Sequence, residues 1–245
     1  MRPSITIVTG ASYNHFCPLH NWIYYMKSIT SDFVVKPRII IYDIGLRKYQ
    51  YNALTAYQLN VSQDYPGELI LWVDSGTLIS SEFLENVPYW SDRFDGFVSP
   101  KTSGDVGLWT HPGVFEYFKD SRNKYVHESN CNGAVLLFDT DKTQHLIDAW
   151  YQCALIKACI APKGSDRTNH RQDQSIITYL ALRDNRKCNR GKSFFKITTH
   201  QENGCLENVL EYEKINGNVW TPSLDDLKEI KKFKSKNKVF DIWTK

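Results

Sequence analysis

Three short apolar runs, spaced widely along the first third of the chain, constrain its fold more than any other feature. Residues 5–9 ("ITIVT"), 38–43 ("RIIIYD") and 69–73 ("LILWV") each have the length and apolar content of a buried strand. Between the first two, Leu19, Trp22, Ile23 and Met26 follow Pro18 at helical spacing. Between the second and third, residues 51–61 set Leu54, Tyr57 and Val61 on one helical face. Strand, helix, strand, helix, strand predicts an α/β fold with a central, mostly parallel sheet flanked by helices.

The middle of the chain is less regular. Residues 95–100 ("DGFVSP") and 133–139 ("GAVLLFD") read as strands, and residues 193–198 as a late one. Residues 142–158 and 173–182 read as helices, the first with Leu146, Trp150, Cys153 and Ala154 on one side. The stretch "KTSGDVGLWTHPG" (101–113) reads as a loop, because it holds three glycines and a proline. The expected division is one domain over 1–225 and a basic segment over 226–245, packed or a tail.

Composition excludes several functions. A net charge of +3 over 245 residues is no signature of a nucleic-acid partner. The local basic run "KEIKKFKSKNK" (228–238) has the pattern of a solvated face. No stretch is apolar for long enough to suggest a transmembrane segment, and "MRPSITIVTG" lacks the pattern of a signal peptide. Cysteines stand at 17, 131, 153, 159, 188 and 205 with no C-x-x-C pair. They read as reduced, buried thiols, which makes the expected location cytoplasmic.

All three early strands end in polar or turn-forming residues. The first leads to Thr9, Gly10, Ala11, Ser12 and Asn14, the second ends in Asp43, and the third leads to Asp74 and Ser75. In open parallel sheets ligands sit beyond the carboxyl ends of the strands, so these residues are candidates for one crevice. Taken singly, each is also the kind of residue that caps a helix or closes a turn.

Two phosphate-site readings fail on the residues. "VTGAS" has the opening of a dinucleotide-binding loop, but Asn14 and Phe16 occupy the places of its further glycines. "VDSGTL" has the glycine and threonine of an aspartyl phosphatase, but Val73 and Ser75 occupy its two carboxylate places. A third reading holds: an acid at a strand end presents a carboxylate to a divalent cation on a diphosphate.

Neighbouring motifs extend that reading. "WVDSG" resembles the D-x-D element of GT-A-fold nucleotide-sugar glycosyltransferases, "NCNGAVLLFDTD" (130–141) their N-x-G strand, and "HRQDQSIITYLAL" (170–182) their acidic-Gln helix opening. "VTGASYNHF" (8–16) with "IIYDIGL" (40–46) is similar to a poorly characterised branch of the same family. The resemblance runs over residues 5 to 200 or so. It implies transfer of a sugar from a nucleotide-sugar donor to a glycan or other hydroxyl acceptor. By the same resemblance, Thr9, Gly10, Ala11, Ser12, Asn14 and Asp43 hold the nucleoside, and Asp74 with Ser75 the diphosphate. Asn132 and Gly133 face the donor sugar or the acceptor, Asp173 is the general base if the reaction inverts the anomeric centre, and His200 joins Asp74 at a Mn or Mg ion.

The sequence departs from the family at two points. Gly76 stands where a second D-x-D carboxylate belongs, and Tyr51-Asn52 where the branch has W-K. A metal-free reaction is therefore open, with Lys101, Arg167 and Arg171 neutralising the leaving group. Trp109 is a candidate for stacking on a sugar, and residues 101–113 for an acceptor lip. One alternative is a non-catalytic nucleotide-sugar or carbohydrate binding module. A nucleotidyltransferase is disfavoured, since no Lys or Arg follows Thr9 until Lys27.

Overall fold

The computed structural model describes residues 4–11, 15–43 and 66–200. The expected helix over 51–61, the donor candidates Ser12 and Asn14, and the basic segment at 226–245 lie outside the described residues.

The first strand, β1 (Ile5–Ala11), pairs in parallel with β2 (Arg38–Asp43) on one side and β3 (Leu69–Val73) on the other. Helix α1 (Phe16–Ile29) follows β1, and its Trp22 and Met26 are fully buried. Beyond β3 lie β8 (Val135–Asp139) and β5 (Phe97–Val98), so the strand order is β2-β1-β3-β8-β5. Only β8 runs against the others. This is the mostly parallel sheet expected from the apolar runs.

Strand pleating sorts the core into two layers. Val8, Ile70, Trp72, Leu136 and Phe138 pack with α6 (Thr140–Ala154) and α8 (Gln172–Arg183) on one face. Ile7, Leu69, Leu71, Val73 and Leu137 pack on the other with α1, α2 (Ser81–Glu85) and α3 (Val87–Arg93). Truncating a fully buried residue such as Leu136 to alanine costs about 2–5 kcal/mol in such a core.

Three kinds of sequence expectation are corrected here: a loop, the bounds of two elements, and the cysteines. Residues 101–113 are not a loop. They form β6 (Lys101–Asp105) and α4 (Val106–Trp109), and they open α5 (Pro112–Tyr117). The cause is partly non-local: β6 pairs with β7 (Ser129–Cys131), far along the chain. It is partly local: the Asp105 carboxylate accepts from the Leu108 amide at 2.9 Å, and Pro112 sits in the first turn of its helix.

The helix expected over 142–158 stops at Ala154, and a short α7 (Lys157–Ile160) follows. Exposed Leu155 and Ile156 mark the break. The late strand is only β9 (Ile197–Thr198), paired antiparallel with β4 (Leu78–Ile79).

The cysteines are the third correction. Cys131 is bonded to Cys188, and Cys153 to Cys159. All four are buried. They are disulfides, not reduced thiols. The first ties β7 to the loop after α8, and the second ties the end of α6 to α7.

Candidate functional site

The ends of β1, β2 and β3 share one sheet edge because the three strands are parallel. The register pairs Ala11 with Asp43, and Val8 with Trp72. Extended by two residues, the second register sets Gly10 beside Asp74. Asp43 and Asp74 then flank β1, with Cα atoms roughly 10 Å apart at ordinary strand spacing. Thr9, Gly10 and Ala11 are buried, and the Thr9 hydroxyl has no hydrogen-bond partner among the described residues.

Asp74 follows β3 and opens a tight turn, in which the Thr77 amide donates to the Asp74 carbonyl at 2.9 Å. Ser75 and Gly76 are its buried central residues. The turn lets the chain leave the sheet at once and enter β4. The Asp74 carboxylate, half-buried, accepts a hydrogen bond from the Trp72 indole N–H at 2.8 Å.

The same edge receives residues 132–134. The Asp74 amide donates to the Ala134 carbonyl at 2.9 Å, because β8 starts where β3 stops. Asn132 is buried, and its side-chain oxygen accepts from the Ala134 amide at 3.0 Å. Its backbone is held from below: the Asn132 amide donates to the Ser99 hydroxyl at 2.9 Å and to the Pro100 carbonyl at 2.8 Å. Ser99 follows β5, so a fourth parallel strand end joins the edge. Lys101, exposed at the start of β6, stands opposite Cys131.

Gly133 makes room for α8. A Cβ built on it would lie 3.3 Å from the Cβ of Gln174. The missing side chain thus admits a helix start; the sequence reading gave it to an approaching ring. The Gln174 side-chain nitrogen is buried without a partner among the described residues. Beside it, Asp173 sits in the first turn of α8, and its carboxyl is pushed up to about 6. Burial is the main cause, opposed by the backbone amides of Gln174 and Asp173 and by Arg167. The Asp173 carbonyl is anchored by the Trp150 indole at 3.1 Å.

His200 lies two residues past β9. Because β9 runs antiparallel to β4, the chain leaving Thr198 heads along the Asp74–Thr77 turn. His200 is exposed and adopts φ +64. Among the described residues no three His, Cys, Asp or Glu side chains come together as a metal site. Asp74 offers the hard oxygen donor that Mg or Mn takes, and the remaining ligands of such an ion are of the kind a diphosphate and water supply.

Two other candidates meet each other. The Arg171 guanidinium lies 3.9 Å above the ring of Trp109, and the Arg171 amide donates to the Trp109 carbonyl at 3.1 Å. One face of the indole is thus covered by the protein itself. Gly104 is obligatory beneath it, since φ is +78 and a Cβ would lie 2.4 Å from the indole nitrogen. Arg167 is exposed on the loop before α8.

Sequence reasoning missed Trp72, Ser99, Gln174 and His170. Trp72 was legible in principle, since residues two apart on a strand share a face. His170 is buried and neutral by preference, as burial lowers its pKa. One ring nitrogen lies 3.0 Å from the Ile160 carbonyl, and the other accepts from the His111 amide. It fixes the approach to α8.

No protein-family model matches this chain, and no curated protein matches it in sequence. In three dimensions the chain is similar to solved glycosyltransferases. The galactosyltransferase LgtC, in complex with donor and acceptor sugar analogues, is 13% identical at a TM-score of 0.49, over 91% of this chain and 99% of that one. A glycosyltransferase involved in glycosylation of the major capsid of PBCV-1 is 13% identical at a TM-score of 0.40, over 74% and 78%. Mouse xyloside xylosyltransferase 1 is 12% identical at a TM-score of 0.39, over 74% and 82%. At these identities the likeness transfers no residue role. No described helix is long and apolar enough to cross a membrane.

Proposed function

We propose that this chain is a glycosyltransferase that moves a sugar from a nucleotide-sugar donor to a hydroxyl acceptor. One juxtaposition carries the reading. The bond from the Asp74 amide to the Ala134 carbonyl, 2.9 Å, sets the acidic strand end against the "NGA" edge. Gly133 in turn packs on Gln174, beside the raised carboxyl of Asp173. Two acids of different character thus border one sheet edge, as the motif order in the sequence implies.

The roles follow from chemistry. Residues 9–11 and Asp43 receive the nucleoside, and Asp74 with Ser75 the diphosphate. A carboxyl that titrates near 6 is mostly ionised at neutral pH yet still basic enough to take a proton. Asp173 is therefore the general base: it accepts the acceptor hydroxyl proton as the oxygen attacks the anomeric carbon and the nucleoside diphosphate departs. Lys101 offsets the charge of that leaving group. A bound Mn or Mg ion would supply the same neutralisation; Asp74 would hold it, with His200 as the second protein ligand.

A binding module without turnover is the second reading, favoured by Gly76 in place of a second carboxylate. We also place the chain in an oxidising compartment and not the cytoplasm, because two buried disulfides are at home there.

The test is a thermal-shift screen of UDP-, GDP- and dTDP-sugars with and without manganese. A donor at about 100 times its dissociation constant should stabilise the parent by roughly 2.7 kcal/mol. Asp74→Ala should abolish that shift, and should lower the ligand-free melting temperature only modestly, by stripping the Trp72 indole of its acceptor. A variant that responds like the parent removes Asp74 from the site. Donor consumption by the parent separates enzyme from module.

A further inference from the structure

The geometry points to Trp72 as the residue that positions the Asp74 carboxylate, an inference that rests on the reading of Asp74 as the donor-holding acid. Trp72 is 3% exposed and sits in the middle of the sheet, paired with Val8 on one side and Leu136 on the other. Its ring packs in the core layer that holds Ile70, Phe97 and Phe138. A side chain with two torsions, gripped that way, has one orientation. Its indole N–H is a donor only, and a buried donor needs an acceptor. The acceptor is Asp74, two residues along the same strand face, at 2.8 Å.

The consequence concerns the departure from D-x-D. A pair of carboxylates can orient one another around a shared cation. Here the second place is Gly76, and the lone carboxylate hangs on a turn. A rigid neutral donor from the core orients it without adding charge. The carboxylate rotor is pre-set before the donor arrives, so less ordering is left to binding. Trp72 itself is buried behind Asp74 and acts only through it.

Two measurements test this. In protein labelled with 15N-tryptophan, the Trp72 indole resonance is assigned from its loss in Trp72→Phe. Asp74→Asn should move it further than any other indole resonance; an unmoved resonance overturns the bond. Trp72→Phe leaves a smaller aromatic ring in the core and removes the N–H, so donor affinity should fall about tenfold, the usual scale for a hydrogen bond to a charged group. Phe97→Leu, which loosens the same core layer away from Asp74, should leave donor affinity unchanged. Wild-type affinity in Trp72→Phe, or an equal loss in Phe97→Leu, overturns the positioning role. If no nucleotide-sugar binds the parent, the glycosyltransferase reading fails, and the indole resonance alone decides whether Trp72 holds Asp74. The same resonance decides if Trp72→Phe does not fold, because tryptophan-by-tryptophan substitution at the other positions assigns it by elimination.

Discussion

The Cβ position of Gly133 and the Cβ of Gln174 are 3.3 Å apart, so the sheet edge and the start of α8 meet more tightly than an ordinary van der Waals contact allows a side chain at residue 133. Alanine there obliges Gln174 to shift by a few tenths of an ångström. Gly133→Ala should cost about 1 kcal/mol of stability, the low end for overpacking. Gln174→Gly removes the opposing carbon. The double variant should then be more stable than the sum of the singles implies, by about 1 kcal/mol in a double-mutant cycle. Additive losses in denaturant unfolding would show that the two residues do not meet.

The raised carboxyl of Asp173 makes a prediction with a definite sign. Its folded value is about 6 against an ordinary 3.8, so ionisation opposes folding. The favourable contribution is complete below pH 3.8 and is lost as pH rises through about 6. Asp173→Asn should therefore be more stable than the parent at pH 8, by about 2 kcal/mol once partial exposure is allowed for. Near pH 3.5 the difference should vanish. The same group sets the acid limb of turnover: kcat/KM of the parent should fall below a pH of about 6. A stability difference that does not change with pH refutes the assignment.

Which parts of this were legible in the sequence has a physical explanation. The runs at 38–43 and 69–73 were read to the residue, because each is an unbroken apolar stretch; the second is fully buried, whereas Ile39 and Ile41 of the first are exposed on the edge strand. Their parallel pairing, each with β1, was expected from the strand–helix alternation of the sequence. Residues 101–105 escaped, because a glycine-bearing strand shows itself only beside its partner at 129–131. The packing reason for Gly133 was hidden for a similar cause: Gln174 is distant in sequence and adjacent only once α8 docks. The hydrogen bond between Trp72 and Asp74 joins residues two apart at the end of β3, where alternation carried one step past the strand already puts both on one face. Disulfide pairing was out of reach, since six cysteines admit fifteen pairings.

Those disulfides should differ in their contribution. Cys131 and Cys188 close a loop with a separation of 57, whereas Cys153 and Cys159 are separated by 6. Loop-closure entropy then assigns about 4 kcal/mol to the first and about 2 kcal/mol to the second. The Cys131→Ser/Cys188→Ser variant should melt well below the Cys153→Ser/Cys159→Ser variant. Mass spectrometry after alkylation of unfolded, unreduced protein should leave all four of these cysteines unlabelled. Labelling of Cys131 or Cys153 would return the chain to a reducing compartment.

Arg171 offers a choice between two roles that the sequence left open. As a phosphate partner it would present its fork of N–H donors to the diphosphate, and lysine would replace it only with a loss of donor binding. The observed guanidinium is stacked 3.9 Å from the Trp109 ring, a contact that needs its planar shape. Arg171→Lys should thus lower stability by about 1 kcal/mol, the scale of a cation–π contact at a partly exposed site. Hydrogen exchange should quicken across 101–109, since Trp109 is the point where that segment meets α8. Donor KM should stay within about twofold of the parent, while Lys101→Ala, which removes an exposed charge at the sheet edge, should raise it by about tenfold, as loss of a charge-assisted contact does. An unchanged melting temperature with a raised KM in Arg171→Lys would assign the guanidinium to the diphosphate instead.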